Sequence, residues 1–382
     1  MENKKFVAGV YKKHFSGKEH EYESFFPSPV NIPYMWSDSR IPVLLEKAGR
    51  LVGELNAYSD RVPDIDFFIK MYVRNEAVKS SKIEGTKTRI DEAVLSEEEI
   101  DPEKRDDWKE VRSYITAMNH SIERLEKLPI SMRLLREAHR ILLTDVRGEY
   151  KNPGEIRIAQ NWIGGRDIQS ASFIPPHPED LPESLKDLEL FWHNKGLRLP
   201  NLIKMAISHY QFETIHPFND GNGRVGRMLI ALHLIELGIL RQSTLYLFDF
   251  FERNKGEYYD ALSFVRARND LEQWIVFFLS AVIETAQKGK DTFEAISSLR
   301  SKYEKLIMGL GRKAQKAHRL ILQLFSDPAV TIADISKGQK MSTSVANRLA
   351  KDLEQLGILK EITGFSRNRI FVLHEYLDLF KS

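Results

Sequence analysis

The chain has 382 residues, 42% hydrophobic and 29% charged, with a formal net charge of +2. That balance suits a globular protein of two or three domains, and the near-neutral total gives no global field for nucleic acid or an anionic membrane. The absence of cysteine excludes disulfides, cysteine nucleophiles and cysteine zinc sites, and it fits a reducing compartment.

The opening residues, MENKKFVAGVYKKHFSG, lack the apolar run of a signal peptide. No stretch of about 18 apolar residues occurs to span a membrane, so a cytoplasmic location and no membrane partner are expected. Residues 1–40 read as irregular, because Pro27, Pro29 and Pro33 forbid a long helix there. From Pro42 to about Asn56 the apolar spacing is helical, with Val43, Leu44, Leu51, Val52 and Leu55 near one side. A second helix is expected from Asp66 to Glu84, stopped by Gly85. Further helices are expected near 107–126, 131–143, 182–194, 201–215, 224–237, 254–264, 270–286 and 291–308. Strand alternation is scarce; EIRIAQNWIGG followed by QSASFIPP, turning at Gly164–Gly165, predicts a hairpin over 156–175. Past GLGRK, near 309–313, three short helices and two strands give a winged helix-turn-helix outline.

The most informative stretch is HPFNDGNGRVGR, His216 to Arg227. It lies between two apolar helical patterns, so it reads as helix, tight loop, helix start. A glycine-rich loop feeding a helix N-terminus presents unpaired N–H groups and the positive end of the helix dipole, which makes an anion site. Asn222, Gly221 and Gly223 can take the positive φ that such a nest needs. Arg224 and Arg227, three apart, can act on one polyphosphate. Asp220 at the loop mouth has the chemistry to hold Mg²⁺ against phosphates. His216 can take a proton from an incoming hydroxyl. The set fits metal-assisted transfer of a nucleotidyl or phosphoryl group. It is not a Walker loop, since no Gly-Lys-Ser/Thr follows, and not a dinucleotide fingerprint, since a helix rather than a strand precedes it. A zinc site on His209 and His216 is weakly supported by their spacing.

This stretch resembles the signature of the Fic (filamentation induced by cAMP) family, His-x-Phe-x-Asp/Glu-Gly-Asn-Gly-Arg-x-x-Arg, at every defined position. The resemblance covers roughly residues 40–290. It implies a mainly α fold, a helical core with an inserted β-hairpin flap, and AMP transfer from ATP to a Ser, Thr or Tyr hydroxyl of a protein. It implies His216 as general base and Asp220 as the Mg²⁺ ligand. The Gly221–Gly223 backbone with Asn222 would cradle the α- and β-phosphates, which Arg224 would contact. Arg227 would hold the γ-phosphate, and Phe218 would anchor the loop in the core. Ser80 to Gly85, SSKIEG, resembles the family's inhibitory motif, in which Glu84 would pair with Arg227 and block the γ-phosphate, with Ser80 on the same helix face. From the residues alone, Glu84 sits at the disfavoured negative end of its helix, where Lys79 or Lys82 would offset it. Tyr258 and Tyr259 correspond to a pair that in relatives lies near the adenine. The hairpin at 156–175 corresponds to the flap on which an extended target segment docks.

The implied organisation is an N-terminal helical region (1–105) with the inhibitory helix at about 66–85, a Fic core (106–290), a connector (291–312) and a winged helix (313–382). Some relatives modify themselves, some dimerise, some use other donors and a few remove AMP. The last segment also admits DNA binding with the Fic domain as a nucleotide sensor. However, the expected recognition helix, 342–356, sets Arg348 and Lys351 against Asp352 and Glu354, a balance poor for phosphate contacts. Lys337, Lys340, Arg367 and Arg369 add positive charge around it. His177, His193, His209 and His233 read as structural or surface residues.

Overall fold

A computed structural model describes residues 6–18, 21–59, 65–144, 146, 148, 150–240, 245, 247–364 and 368–381. The fold is mainly α, as expected. The N-terminal region is not irregular: strands β1 (Gly9–His14) and β2 (Tyr22–Pro27) form an antiparallel hairpin. Lys12 and Lys13 stand side by side in β1 and β2 carries only Glu23, so the sequence shows no clean strand alternation. The prolines that argued against a helix lie at its end and beyond it.

Helix α1 (Arg40–Ser59) buries Ile41, Ala48, Leu51, Val52 and Leu55, whereas Val43 faces out. Then come α2 (Ile65–Ile83), the short α3 (Ile90–Ala93), α4 (Arg105–Leu125), α5 (Met132–Leu142) and α6 (Leu181–His193). Two helices form the centre. α7 (Asn201–Ile215) is buried on all sides but for Asn201 and Lys204, and α8 (Asn222–Glu236) is buried almost throughout. A helix apolar all round must be enclosed. α4 and α5 pack on α8, α6 and α11 (Leu271–Met308) pack on α7, and α9 (Leu247–Arg253) and α10 (Lys255–Arg268) pack on α11. Sequence reading missed α9 and split α11 in two; it is one helix of 38 residues, unbroken at residue 290.

Beyond α11 lie α12 (Ala314–Ser326), β3 (Ala329–Thr331), α13 (Ile332–Gly338), α14 (Thr343–Gln355), β4 (Lys360–Glu361), β5 (Ile370–Val372) and α15 (His374–Asp378). The strands pair antiparallel in the order β3-β5-β4, one strand more than expected. Thr331 and Ser342 cap α13 and α14 with their hydroxyls. This unit packs on α2. Phe68 meets Phe325 at 5.0 Å and Tyr376 at 6.4 Å, and Tyr72 meets Phe380 at 5.2 Å. Arg74 donates to the Ser326 carbonyl at 2.9 Å and pairs with Asp327. Arg367 lies outside the described residues.

Candidate active site

Helix α7 ends where His216 takes a left-handed backbone (φ 50°), and α8 begins after Gly221 (φ 74°). Of the positive φ values expected at Gly221, Asn222 and Gly223, Gly221 has one; Asn222 and Gly223 do not, because α8 starts at Asn222, and His216 carries the other. The Asn222 side chain braces the loop rather than facing a ligand. It accepts from the Phe218 N–H and donates to the Phe218 carbonyl, both at 2.8 Å. Phe218 is buried, as implied.

Three residues that sequence reading passed over hold this loop. His139 of α5 stacks on Phe218 with ring centroids 3.9 Å apart. Its Nδ1 accepts from the Gly154 N–H at 2.8 Å, so its proton sits on Nε2, which donates to the Asp220 carbonyl at 2.9 Å. Burial lowers its pKa to about 4, keeping it neutral. Arg157, buried, donates to the carbonyls of His216 (2.9 Å) and Pro176 (2.6 Å), and its own N–H reaches Pro217 O at 2.9 Å. Asn161 donates to Phe218 O at 3.0 Å. Nothing in EIRIAQNW marks the roles of Arg157 and Asn161 locally, because most of their partners are carbonyls of the 216–218 loop, nearly sixty residues away.

The expected hairpin over 156–175 is joined by one bridge, Ile163 with Phe173, above turn glycines 164 and 165 (φ 69° and 72°). Phe25 of β2 donates to the Ile174 carbonyl at 2.9 Å, so the N-terminal hairpin buttresses this segment. Trp162, Ile163 and Phe173 form one wall of a cleft of about 790 Å³. His216, Asp220, Gly221–Arg224, Arg227, Tyr258, Tyr259, Leu262 and Arg266 also line it, and the Arg266 guanidinium lies over the Phe173 ring at 4.0 Å. That volume is in the range of small-molecule sites.

His216 Nδ1 faces the Glu213 carbonyl at 3.4 Å, which leaves Nε2 as the proton acceptor. Burial, helped by the charge of Arg157, lowers its pKa to about 4, so it is the free base at neutral pH. Asp220 Oδ1 accepts the Gly221 N–H at 2.6 Å. Its other oxygen lies at the cleft rim beside Gly148. Among the described residues no three His, Asp or Glu gather to hold a metal by themselves, and both ring nitrogens of His209 are occupied, by Gly226 O (2.9 Å) and Tyr258 OH (2.8 Å). A lone carboxylate at the rim suits a Mg²⁺ that arrives with phosphates, since that ion keeps waters and substrate oxygens as most of its ligands.

Arg224 is buried and donates to Glu110 of α4 at 3.4 Å. Arg227, 1% exposed, donates from Nε to Ser80 Oγ (2.9 Å) and from one terminal nitrogen to Ser80 O (3.0 Å) and Glu84 Oε1 (2.6 Å). Lys79 and Lys82 turn away to Asp249 and Glu252, so they do not offset Glu84. Lys255 instead caps the end of α2 at the Ile83 carbonyl. Burial opposes the charge on Glu84, yet Arg227 holds its pKa below the usual carboxylate range. A side chain at 223 would collide with Glu84 Oε1. Tyr258 is a core residue tied to His209, whereas Tyr259, 41% exposed, opens to the cleft.

Residues 43–123 match the Fic/DOC family N-terminal profile, and residues 129–234 match the Fic/DOC family profile. These two segments belong to the Fic/DOC family. The chain is 33% identical over 123 residues to protein adenylyltransferase Fic-1 of Caenorhabditis elegans, which is 32% of this chain and 22% of that protein. It is 37% identical over 95 residues to a probable protein adenylyltransferase of Aquifex aeolicus, 25% of this chain and 27% of that one. It is 27% identical over 213 residues to protein adenylyltransferase Fic of Drosophila grimshawi, 54% of this chain and 41% of that one. The chain thus spans less than half the length of these relatives. The fold is shared with a Fic family protein from Desulfovibrio desulfuricans, with TM-score 0.56 and 19% identity over 90% of this chain and 98% of that one. No helix among the described residues is long and apolar enough to cross a membrane.

Proposed function

We propose that this Fic protein is an adenylyltransferase that moves AMP from ATP to a hydroxyl of a protein and is held off by Glu84. The observation that carries the reading is one cleft in which a neutral histidine faces a helix N-terminus flanked by two buried arginines. Those are the parts that accepting a hydroxyl proton and holding a triphosphate require. The names of the relatives support nucleotidyl transfer to protein.

In the reaction, the target hydroxyl oxygen bonds to the α-phosphorus as the bond to the bridging oxygen of the β-phosphate breaks. The hydroxyl proton passes to His216 Nε2, and pyrophosphate leaves. The N–H groups at the start of α8 and Arg224 hold the α- and β-phosphates, and Arg227 takes the γ-phosphate once Glu84 withdraws. Mg²⁺ on Asp220 would neutralise phosphate charge. Arg157 and His139 keep the loop in register, and the 156–175 segment offers backbone to an extended target. Self-modification and dimer formation fit the same reading.

Our domain assignment is an N-terminal region (1–105), a Fic core (106–290), a connector (291–312) and a C-terminal winged helix (313–382), with α11 shared across residue 290. A DNA-binding role for the last unit gains from one contact. Lys313 pairs with Asp352, which leaves Arg348 and Lys351 exposed against a half-buried Glu354 on α14. Salt-dependent binding to duplex DNA, lost in Arg348→Ala/Lys351→Ala, tests it.

The test of the main reading is label transfer with purified protein, Mg²⁺ and a cell lysate. ATP labelled at the α-phosphate is compared with ATP labelled at the γ-phosphate. Protein-bound α-label that rises in Glu84→Gly and vanishes in His216→Ala is expected. Label from the γ-position alone would make it a kinase-like reaction and overturn the reading.

A further inference from the structure

The two arginines of the cleft are held in different ways. Arg227 keeps Ser80 whatever Glu84 does, because its Nε donates to Ser80 Oγ and a terminal nitrogen to Ser80 O. Glu84 is free to leave. It follows the last residue of α2, its side chain is 36% exposed, and the next residue, Gly85, has φ 108°. Arg224 is oriented from another helix. Its Nη1 donates to Glu110 Oε2 at 3.4 Å, and both residues are buried and line the cleft.

Glu110 cannot withdraw as Glu84 can. It lies inside α4, between the buried Trp108, Val111 and Tyr114, and α4 packs on α2, α5 and α8. The start of α4 is pinned as well: the Lys87 N–H donates to the Asp107 carboxylate at 2.7 Å, and Trp108 Nε1 donates to Glu92 O at 3.2 Å. Among the described residues of α4, Glu110 is the one charged side chain that is buried. A buried pair joined by a single contact of this length adds little stability once both ions have left water. What it does fix is direction. An arginine side chain loses rotamer freedom when it binds a phosphate, and a partner that already holds it removes that loss in advance. With Nη1 committed to α4, Nη2 is left toward the loop mouth, 4.0 Å from Asp220 Oδ1.

We propose that Glu110 is a positioning residue for the donor phosphates: by holding Nη1 against α4 it aims the Arg224 guanidinium at the start of α8. The inference rests on the reading that this cleft binds a nucleotide by its phosphates there. Geometry carries the effect rather than charge, since a second carboxylate beside Arg224 by itself weakens the pull on an anion. Glutamine keeps an acceptor at the same reach without the charge. Aspartate keeps the charge and draws it back by one methylene.

The experiment measures binding, not transfer. Calorimetric titration with Mg·ADP is run on wild type, Glu110→Gln and Glu110→Asp, and on Arg224→Ala with and without Glu110→Asp. ADP lacks the γ-phosphate, so the Glu84–Arg227 pair stays out of the readout. Glu110→Gln is expected to bind ADP at least as tightly as wild type. Glu110→Asp should bind about tenfold more weakly, the worth of one charge-assisted hydrogen bond. In the Arg224→Ala protein the Glu110→Asp change should cost nothing further, because the two residues act as one unit. A Glu110→Asp protein that binds as wild type does overturns the inference. So does a Glu110→Gln protein as weak as Glu110→Asp, which would make charge the cause. A loss that persists without Arg224 also overturns it, since a role in the packing of α4 alone would give that result. Failure of the wild type itself to bind ADP would sink the nucleotide reading and this inference with it, whereas ADP binding indifferent to Glu110 sinks this inference alone.

Discussion

Removing the Glu84 carboxylate should both activate and destabilise the protein. Arg227 is 1% exposed and its guanidinium is held by Ser80 and Glu84. Breaking a fully buried ion pair from one side costs about 3–5 kcal/mol, whereas exposed pairs are worth roughly 0–1 kcal/mol. The Glu84 side chain is 36% exposed, and Ser80 retains two bonds to the guanidinium, so a value between these limits, about 2 kcal/mol, applies. If that pair is what keeps the γ-phosphate out, Glu84→Gly releases about 30-fold in transfer rate. The same loss lowers the melting temperature by roughly 2–3 °C in a chain of this length. Mg·ATP should restore most of it, because the γ-phosphate becomes the new counter-ion of Arg227. Initial rates of α-label incorporation and scanning calorimetry with and without nucleotide measure both. An unchanged rate beside the expected fall in melting temperature would show that the pair is structural and that inhibition lies elsewhere.

Three further outcomes are expected. On the Glu84→Gly background, kcat should stay level from pH 8 down to about 5 and fall only near pH 4, because burial lowers the His216 pKa to about 4 and the neutral form is the base; an acid limb centred near 6.5 would contradict this. Arg157→Ala should lower kcat about tenfold or more with little change in ATP affinity, since it frees the His216 and Pro176 carbonyls; equal loss of both would mean that the cleft itself has collapsed. Tyr258→Phe should cost roughly 1–2 kcal/mol in urea unfolding, because it leaves His209 Nε2 buried without its partner, while Tyr259→Ala should weaken ATP binding without that loss of stability.

The legible parts of this molecule were those with short-range causes. The loop between α7 and α8 announced itself because its glycines, arginines and acid follow one another within twelve positions. The pairing of Glu84 with Arg227 was reachable only through the family resemblance, since the two residues lie 143 positions apart. The β1–β2 hairpin escaped notice because solvent faces much of it and prolines close it. His139, Arg157 and Glu110 escaped for a different reason. His139 and Glu110 sit on helices whose apolar spacing masks them, Arg157 sits in an irregular segment with no period of its own, and the groups around them come mostly from distant segments.

The position of α2 between two cores has a consequence for how the protein loses structure. Phe68 and Tyr72 pack against the C-terminal unit, while Ser80 and Glu84, about two to four turns further on, clasp Arg227. The bolt on the active site is thus anchored partly in the C-terminal unit, which packs mainly on α2 and α11 rather than on α7 or α8, while α4 and α9 also hold α2. Proteins open in cooperative pieces, the weakly tied ones first. Detachment of the last seventy or so residues by heat, dilute urea or a proteolytic cut would loosen α2 before it disturbs α7 and α8. Mild denaturing conditions should therefore raise activity before abolishing it, so that the temperature of greatest activity marks the melting of the restraint rather than the limit of the catalyst.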